Sequence, residues 1–401
     1  MKKLILIVST LNTGGAQKVL SNMVMNLPED YEADILLNDA ENIMYPYKGN
    51  LVSLGFKNQA DKLNIFYQLK VFLKRVAVLR KMKATGEYVA AISFLDSANL
   101  ANIISGKRKC KTLVSVHNNL TESAVSWKYK YIVNPLVRMF YRRADKVITV
   151  SKGIEHDLIH NLKLSPCNIE TIYNGHDITR IRELSKETLN EKEESYFGKG
   201  PVIATMGRFN YQKAQWHLIR ALSEVKKSIP DIKLVFLGEG ELYPYLEKLT
   251  KECNLKEQVI FAGFQKNPFK VLGRCDAMVL PSRFEGFPNA LIEALSLNVP
   301  CVSADFHSGA REILAPELPI EELEEREIIK AQYGILVPVC DGKQYDGTVP
   351  LTKEEKLLAE AIVMMLSDKE LQQQYREKAA EAVSHLDSET MVKKWLEVIE
   401  N

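Results

Sequence analysis

Two glutamates, Glu285 and Glu293, lie eight positions apart in the stretch RFEGFPNALIEAL at 283–295. The Gly-Phe-Pro turn after Glu285 interrupts any continuous helix, and Pro288 suits the first turn of a helix that contains Glu293. The carboxylates therefore bracket a helix start, where backbone N–H groups lack helical partners and could hold a phosphate. These donors belong to Asn289, Ala290 and Leu291.

A phosphate at this helix start would leave the two carboxylates to bind a different group, because like charges repel. Carboxylates accept hydrogen bonds from vicinal hydroxyl groups, so one glutamate can serve a ribose and the other a sugar. The arrangement therefore favours a nucleotide sugar as the ligand. The alternative is that Glu285 is a surface loop residue and Glu293 a helix acid stabilised by the helix dipole.

Arg208 and Lys213 follow the apolar strand candidate PVIATMG at 201–207. In parallel α/β sheets, ligands bind at the carboxyl ends of the strands, and both cations are expected there. The arginine offers a planar fork for phosphate oxygens, and the lysine adds a mobile point charge. The alternative is a pair of solvated surface cations.

Gly14 and Gly15 separate the first strand candidate, LILIVST at 4–10, from the helix that follows. A glycine pair at this position either lets the backbone approach a ligand closely or forms a tight turn. The segment is not a G-x-G-x-x-G, and no acidic residue closes the next strand candidate. A dinucleotide-dependent oxidoreductase is therefore disfavoured.

Short apolar runs alternate with longer amphipathic segments along the 401 residues. Continuous apolar runs indicate parallel strands buried on both faces, and the length suggests two cores. The predicted fold class is α/β, with two doubly wound Rossmann-like domains. The first domain is predicted at 1–180, completed by a C-terminal helix at 385–401, and the second at 181–384. The polar segment 185–200 is interpreted as an interdomain linker.

The strand candidates are at 3–9, 33–38, 89–94, 111–116, 146–150, 168–173, 201–207, 232–238, 258–263, 276–281 and 299–304. Segments 316–330 and 338–352 are irregular and are predicted to be surface insertions. The opening MKKLILIVST is predicted to be a first buried strand, not a signal peptide, and no apolar run reaches the roughly 20 residues that span a bilayer. The six cysteines show no C-x-x-C pair, which is typical of reduced residues in a cytosolic protein.

Positive charge is concentrated between Lys57 and Lys146, where 18 lysines and arginines stand against 5 acidic residues. Such an excess suggests an anionic partner, and nucleic acid is disfavoured because no recognised binding motif accompanies the charge. We expect peripheral binding to anionic membranes through a helix within 62–83 and a basic-aromatic run at 127–146. The alternative is a pair of core-packed helices with solvated backs. In the first helix the predicted apolar face comprises Ile65, Leu69, Phe72, Val76 and Leu79, and the predicted basic face comprises Lys70, Lys74 and Lys81.

Eight segments together resemble a known family. They are GRFNYQK, FLGEGE, SRFEGFPNALIEAL and VPCVSADFHSGAREIL in the second half, and GGAQKVL, SVHNN, VITVSKGIEHDL and IYNGHD in the first. In order and spacing they are similar to the retaining glycosyltransferases of family 4, which have the GT-B fold of two Rossmann-like domains facing across a cleft. The resemblance covers nearly the whole chain, and E-x7-E with an upstream G-R-x4-K is a specific combination.

The resemblance implies a role for the charged candidates. Arg208 and Lys213 would hold the donor diphosphate, Glu293 would hold the ribose hydroxyls, and Glu285 would contact the donor hexose. His117 matches the family's histidine near the transferred sugar. Arg208, Lys213, Glu285 and His117 are therefore the predicted catalytic residues.

The resemblance also implies donor contacts by small residues. Backbone amides near Ala290 and Leu291 would complete the phosphate cradle, and Gly14–Gly15 would close over phosphate or acceptor. The nucleoside would be bordered by Gly238, Gly240 and the GFQK loop at 263–266.

The implied activity is transfer of a hexose or N-acetylhexosamine, with retention, from a UDP-sugar to a glycan or polyprenyl-diphosphate-linked acceptor in cell-surface polysaccharide assembly. The sequence has no D-x-D motif, and two cations with a helix N-terminus can stabilise the leaving diphosphate, so neither a metal nor a cofactor is expected. The enzyme would act in the cytoplasm on the inner face of the plasma membrane, without a nucleic acid partner. The alternatives are a GT-B-fold nucleotide-sugar epimerase or hydrolase, and a non-catalytic transferase-like subunit.

Overall fold

A computed structural model describes residues 1–12, 14–41, 43–56, 65–125, 127–320 and 327–401. The chain divides into two compact units. Unit 1 comprises Met1–His176 and Leu386–Asn401, and unit 2 comprises Asp177–His385. Two parts of predicted features lie outside the described residues: 57–64 of the basic stretch and 321–326 of the acidic segment.

Unit 1 contains a parallel sheet. Its strands are β1 (Lys2–Ile7), β2 (Tyr31–Leu37), β3 (Asn50–Ser53), β4 (Tyr88–Phe94), β5 (Lys111–Val116), β6 (Lys146–Thr149) and β7 (Ile169–Thr171). Among the described residues they pair in the order β3-β2-β1-β4-β5-β6-β7. The order reverses between β1 and β4, which is the switch point where doubly wound sheets bind ligands.

Helices cover this sheet. They are α1 (Gly15–Met25), α2 (Ile65–Ala84), α3 (Asp96–Ile104), α4 (Asn134–Phe140) and α5 (Lys152–His156). A π-helical turn, Tyr129–Val133, leads directly into α4.

Unit 2 repeats the arrangement. Its strands are β8 (Val202–Met206), β9 (Lys233–Leu237), β10 (Val259–Gly263), β11 (Ala277–Leu280), β12 (Cys301–Ala304), β13 (Ile329–Lys330) and β14 (Ile335–Val337). In the described part of the unit their order is β10-β9-β8-β11-β12-β14-β13, and all pairs are parallel except β13 with β14.

Among the described helices of unit 2, the last two are the longest, with 15 residues each. The helices of this unit are α6 (Ile178–Ser185), α7 (Glu191–Glu194), α8 (Gln215–Ser228), α9 (Tyr243–Glu252), α10 (Phe269–Leu272), α11 (Asn289–Ser296), α12 (Ala310–Leu314), α13 (Lys353–Ser367) and α14 (Lys369–Val383).

The last helix, α15 (Ser388–Glu400), returns to unit 1. Trp395 is buried in the unit 1 core, with its ring centroid 6.3 Å from that of Phe94. Lys111 donates a hydrogen bond to the carbonyl oxygen of Ile399 at 2.8 Å. The chain end therefore completes the core of the unit in which the chain begins.

Both cores are formed by strands that are apolar on both faces. In β1 the side chains of Leu4, Ile5, Leu6 and Ile7 are all fully buried, because helices cover the sheet on either side. The prediction of an α/β chain with two doubly wound sheets is confirmed.

The linker prediction for residues 185–200 is wrong, because this segment is folded into unit 2. Asn190 caps α7 in a capping box with Glu193. The buried Glu193 carboxylate also pairs with Lys270 of α10 at 2.7 Å, and Tyr196 is buried. The polar composition of this segment reflects capping and ion pairing, not a free connection.

The predicted insertion at 338–352 is tied to unit 2 by buried side chains. Arg220 of α8 donates hydrogen bonds to the carbonyl oxygens of Asp346 and Pro350, at 2.5 and 2.9 Å. Trp216 donates from its indole nitrogen to the carbonyl oxygen of Lys343 at 2.9 Å. The segment is therefore held by α8 although it has little secondary structure of its own.

The predicted apolar face of α2 is buried only in its second half. Val76 and Leu79 are buried, whereas Ile65 and Leu69 are 72% and 52% exposed. The alternative of a core-packed helix therefore holds for the second half of α2 and not for its start. In the described parts of the chain, no helix combines the length and apolarity needed to cross a membrane.

Candidate active site

Glu285 lies in the loop between β11 and α11, and its carboxylate is buried among polar partners. Lys213 Nζ lies 2.5 Å from Glu285 Oε1, and Ser282 donates its hydroxyl to the same oxygen at 2.7 Å. Gln212 donates from Nε2 to Glu285 Oε2 at 3.1 Å. The backbone is fixed as well, because Ser308 donates to the Glu285 carbonyl oxygen at 2.7 Å. A carboxylate held on both oxygens has a single defined orientation.

Lys213 reaches Glu285 from the loop that follows β8. Its backbone N–H donates to Asn210 Oδ1 at 3.1 Å, and Ala214 then adopts a left-handed conformation, with φ 48°, before α8 begins. Gly207 leaves room for the lysine, since a Cβ at this position would lie 2.9 Å from Lys213 Cε. The structure thus brings together Lys213 and Glu285, which are 72 residues apart in the chain.

Gly238 must be glycine for the ends of β8 and β9 to approach each other. Its φ is 151°, and a Cβ here would lie 2.1 Å from the carbonyl oxygen of Gly207. Gly207 in turn packs against Lys213. Gly238, which is predicted to border the nucleoside, therefore lies close to the loop that carries Lys213.

Glu293 is buried within α11, one turn after the helix begins. The predicted bracketing of the α11 N-terminus is therefore present, with Glu285 before it and Glu293 inside it. One predicted donor is not free: the N–H of Leu291 donates to the carbonyl oxygen of Pro288 at 2.9 Å. That bond tightens the first turn, so Leu291 does not offer the phosphate contact that the sequence predicts. Asn289 and Ala290 occupy the first two positions of the helix.

Arg208 lies beside an open cavity of about 690 Å³. Its side chain is exposed, and the cavity is also lined by Gly238, Gly240, Tyr243 and Phe261. The Tyr243 and Phe261 rings meet edge to face, with centroids 5.2 Å apart. Two glutamates, Glu239 and Glu241, also line the cavity. Its lining therefore combines aromatic faces, glycine backbone and charges of both signs, which suits the hydroxyl groups and phosphates of a nucleotide.

His117 lies in unit 1, directly after β5, and is half-buried. Its Nε2 is 3.0 Å from the hydroxyl oxygen of Ser115, and its ring centroid is 5.6 Å from that of Phe94. Burial lowers the pKa of His117 to about 3, so the imidazole is neutral at physiological pH. His117 is suited to hydrogen bonding and not to donating a proton as a cation.

Gly14 and Gly15 form the entry to α1 at the carboxyl end of β1. Gly14 is the N-cap residue with φ 150°, and its carbonyl oxygen accepts the N–H of Lys18 at 3.1 Å. The glycine pair therefore begins the helix, as its position after the first strand predicts.

Three contacts of the site were not foreseen from the sequence: those of Ser282, Gln212 and Ser308 with Glu285. Gln212 is adjacent to Lys213, and Ser282 precedes Glu285 by three residues, but hydroxyl and amide side chains in loops carry no distinctive pattern. Among the described residues, no group of three or more histidine, cysteine or acidic side chains is placed to hold a metal ion.

Comparison with known proteins agrees with this arrangement. Residues 13–180 match the family described as Glycosyltransferase Family 4, and residues 186–318 match Glycosyl transferases group 1. An uncharacterized glycosyltransferase of Methanocaldococcus jannaschii is 32% identical over 360 residues, which cover 88% of each chain. The chain belongs to glycosyltransferase family 4. The resemblance predicted from the sequence is thereby confirmed, and the protein is an enzyme of the transferase class.

A second relative of this family 4 glycosyltransferase has a more specific name. The N-acetylgalactosamine-N,N'-diacetylbacillosaminyl-diphospho-undecaprenol 4-alpha-N-acetylgalactosaminyltransferase of Campylobacter jejuni is 29% identical over 384 residues, 94% of each chain. Among solved structures, Anabaena HepE in complex with UDP and glucose aligns over 100% of both chains, with a TM-score of 0.74 and 19% identity. At that identity the likeness supports the GT-B fold alone.

Proposed function

We propose that the enzyme transfers a hexose or N-acetylhexosamine from a UDP-sugar to a glycan or lipid-linked acceptor, with retention of the anomeric configuration. The observation that carries this proposal is the buried Glu285 carboxylate, held by Lys213 and Ser282 at the N-terminus of α11. A fixed carboxylate beside a cation and a helix N-terminus can bind sugar hydroxyls next to a diphosphate.

The proposal that the donor is a nucleotide sugar is supported by the residues around that carboxylate. The cavity lined by Arg208 and Gly238 would take the nucleoside and its phosphates, and Glu293 would accept the ribose hydroxyls. UDP is proposed as the nucleotide because it is what the family resemblance implies, and it is also the nucleotide in the HepE complex with UDP and glucose.

Departure of the diphosphate requires stabilisation of negative charge. Arg208, Lys213 and the first N–H groups of α11 would supply it electrostatically, and for this reason we propose that transfer does not depend on a metal. The acceptor hydroxyl would attack on the face from which the phosphate leaves and pass its proton to the departing phosphate oxygen. Glu285 would orient the donor sugar for this step.

The acceptor half of the proposal rests on relatives. The Campylobacter enzyme is named for a diphospho-undecaprenol substrate, and a further relative from Escherichia coli, 27% identical over 49% of this chain, is named for α-D-GlcNAc-diphosphoundecaprenol. A polyprenyl-diphosphate-linked glycan is accordingly the proposed acceptor class, in the assembly of cell-surface polysaccharide or glycan.

Such an acceptor is anchored in a membrane, and the surface of unit 1 suits contact with one. At the start of α2 the apolar Ile65 and Leu69 are exposed, and on another face of the helix Lys70 and Lys74 are exposed as well. Exposed apolar side chains on one face of a helix and lysines on another are typical of helices that bind an anionic lipid surface. We therefore propose peripheral binding on the cytoplasmic face of the plasma membrane.

The proposed function is tested by a nucleotide-release screen. Purified enzyme is incubated with UDP-, GDP- and ADP-sugars, with and without GlcNAc- or GalNAc-terminated diphospho-undecaprenol, in the presence and absence of EDTA. We expect UDP release that depends on acceptor and survives EDTA. Release of free sugar or of an epimer without acceptor would favour a hydrolase or epimerase, and no release from any donor would favour a non-catalytic subunit. A loss of activity in EDTA that Mn²⁺ or Mg²⁺ restores would contradict metal independence.

A further inference from the structure

Asp96 lies at the same edge of the unit 1 sheet as His117. It is the first residue of α3, two positions after β4 ends, and His117 directly follows β5. β4 and β5 are parallel neighbours, so both side chains stand at the carboxyl ends of adjacent strands. This is the edge at which parallel α/β sheets bind their ligands.

The backbone that presents Asp96 is in an unusual conformation. Leu95 has φ 74° and ψ 154°, a region that a residue with a branched side chain rarely adopts. Such a conformation is strained and persists where surrounding contacts enforce it. The turn from β4 into α3 is therefore a constrained one.

Arg75 of α2 supplies one of those contacts. Its guanidinium is buried and donates to the Ser97 hydroxyl at 3.0 Å and to Asn38 Oδ1 at 2.6 Å. Burial lowers the pKa of Arg75 to about 10. Ser97 is next to Asp96 in the chain. The hydrogen bond from Arg75 to Ser97 therefore holds the first turn of α3 in place.

Tyr129 holds the Asp96 side chain from the other direction. Its hydroxyl donates to Asp96 Oδ2 at 3.0 Å, and the Asn118 side chain interacts with the same hydroxyl. Asn118 is the neighbour of His117, so Tyr129 connects the two strand ends. Burial raises the pKa of Asp96, although Tyr129 and Lys128 act in the opposite sense.

A carboxylate can accept about four hydrogen bonds, so the bond from Tyr129 leaves acceptor capacity on Asp96. The residue is half-buried and thus within reach of a ligand at the sheet edge. A simpler explanation is that Asp96 only stabilises the N-terminus of α3 through the helix dipole. That role requires neither the strained Leu95 nor the tyrosine that orients the carboxylate.

We propose that Asp96 binds a hydroxyl or amide N–H group of the acceptor sugar, with Tyr129 as the residue that positions it. This inference rests on the proposed function, since it assigns an acceptor contact to the same reaction. It concerns only the acceptor: the donor contacts proposed above belong to unit 2, whereas Asp96 and Tyr129 belong to unit 1.

The test compares Asp96→Asn and Tyr129→Phe with a matched control, Asp34→Asn. Asp34 is also half-buried and accepts a tyrosine hydroxyl, but its partner Tyr88 is the first residue of β4, at the opposite end of that strand. Transfer is measured with whichever of GlcNAc- and GalNAc-terminated diphospho-undecaprenol the wild type uses. The KM for the UDP-sugar and the affinity for the UDP-sugar in the absence of acceptor serve as donor readouts, and thermal unfolding reports folding.

For Asp96→Asn we expect the acceptor KM to rise roughly 10- to 100-fold, the range expected for losing a hydrogen bond to a charged group. Tyr129→Phe should raise it less, and Asp34→Asn should leave it unchanged. Donor KM and donor affinity should stay at wild-type values in all three variants. An unchanged acceptor KM in Asp96→Asn, or a parallel loss of donor affinity, would overturn the inference while the proposed function stands. A wild type that transfers to neither acceptor would overturn both.

Discussion

The residues of the donor site are fixed by their neighbours. Glu285 accepts from Lys213, Ser282 and Gln212, so its orientation is set before any ligand arrives. Lys213 and Glu285 were predictable from the sequence because charged residues follow apolar strands at the edge where ligands bind. Their direct contact was not predictable, since it depends on the backbone path of two loops that are distant in sequence.

Replacing Lys213 with alanine should lower turnover by about 100-fold or more, because it removes a cation that stabilises the leaving diphosphate. Lys270→Ala is the matched control, since Lys270 forms an ion pair of similar exposure with Glu193 elsewhere in unit 2. Steady-state kinetics with saturating donor give the comparison. If both variants lose activity equally, the loss comes from breaking a structural ion pair and not from losing the cation that stabilises the leaving diphosphate.

At the scale of elements, the strand pattern was largely predictable and the short strands were not. β1 contains a continuous apolar run and β5 is rich in β-branched residues, and both patterns are typical of buried strands. β3 is a four-residue edge strand with exposed ends, and β13 spans two residues, so neither has enough apolar residues to be recognised. β14, with only three residues, pairs with β12 just before a segment that was predicted to be an insertion.

Gly238→Ala tests how closely the ends of β8 and β9 must approach. The new Cβ would clash with the Gly207 carbonyl oxygen and force a left-handed backbone onto alanine, so we expect a loss of at least about 2 kcal/mol in stability. Gly198→Ala is the control, because a Cβ at that position meets open space. Chemical denaturation measures both, and equal stability of the two variants would contradict this explanation of Gly238.

The ion pair between Arg220 and Glu355, which helps to hold segment 338–352, predicts that the stability of the protein depends on pH. Glu355 of α13 is buried, which would raise its pKa, but hydrogen bonds from His217 and Arg220 lower the pKa below its ordinary value of 4.5. A lowered folded-state pKa means that its stabilisation is present above pH 4.5 and is lost as the pH falls through the folded-state pKa.

Glu355→Gln should therefore cost about 3–5 kcal/mol at neutral pH, the cost of leaving a buried arginine unpaired, and less as the pH falls below 4.5. Glu224→Gln serves as control, because Glu224 pairs with Lys227 at an exposed position. Urea unfolding across pH 3–7 measures the difference from wild type. A cost that stays constant across this range would show that the ionised carboxylate is not what anchors the segment.

At the scale of the whole molecule, charge is distributed unevenly between the described units. The basic stretch predicted between Lys57 and Lys146 lies within unit 1, and its described part includes the exposed lysines of α2. Burial of Arg75 and Lys83 removes two of these cations from the surface, which the sequence did not indicate. Helical periodicity places charges on a face, but it does not reveal which of them the tertiary fold covers.

The variant Lys70/Lys74/Lys81→Glu should bind anionic membranes more weakly than wild type, because each surface lysine contributes up to about 1 kcal/mol near anionic lipid. Flotation with liposomes of increasing phosphatidylglycerol content measures the binding. A matched variant with three glutamates in place of Lys227, Lys248 and Lys251 alters exposed lysines of unit 2 by the same charge. Equal flotation of wild type and both variants would leave the basic face of α2 as ordinary surface.

The central claim is that the carboxylate of Glu285 orients the sugar that is transferred. The most direct measurement is acceptor-dependent UDP release by Glu285→Gln, compared with wild type and with Glu193→Gln, in which another buried, lysine-paired glutamate of unit 2 is altered. We expect turnover of Glu285→Gln to fall by about 100-fold or more at saturating donor, with unfolding temperatures preserved, and Glu193→Gln to stay near wild type. Near-wild-type turnover by Glu285→Gln would contradict the assignment of this carboxylate to the reaction.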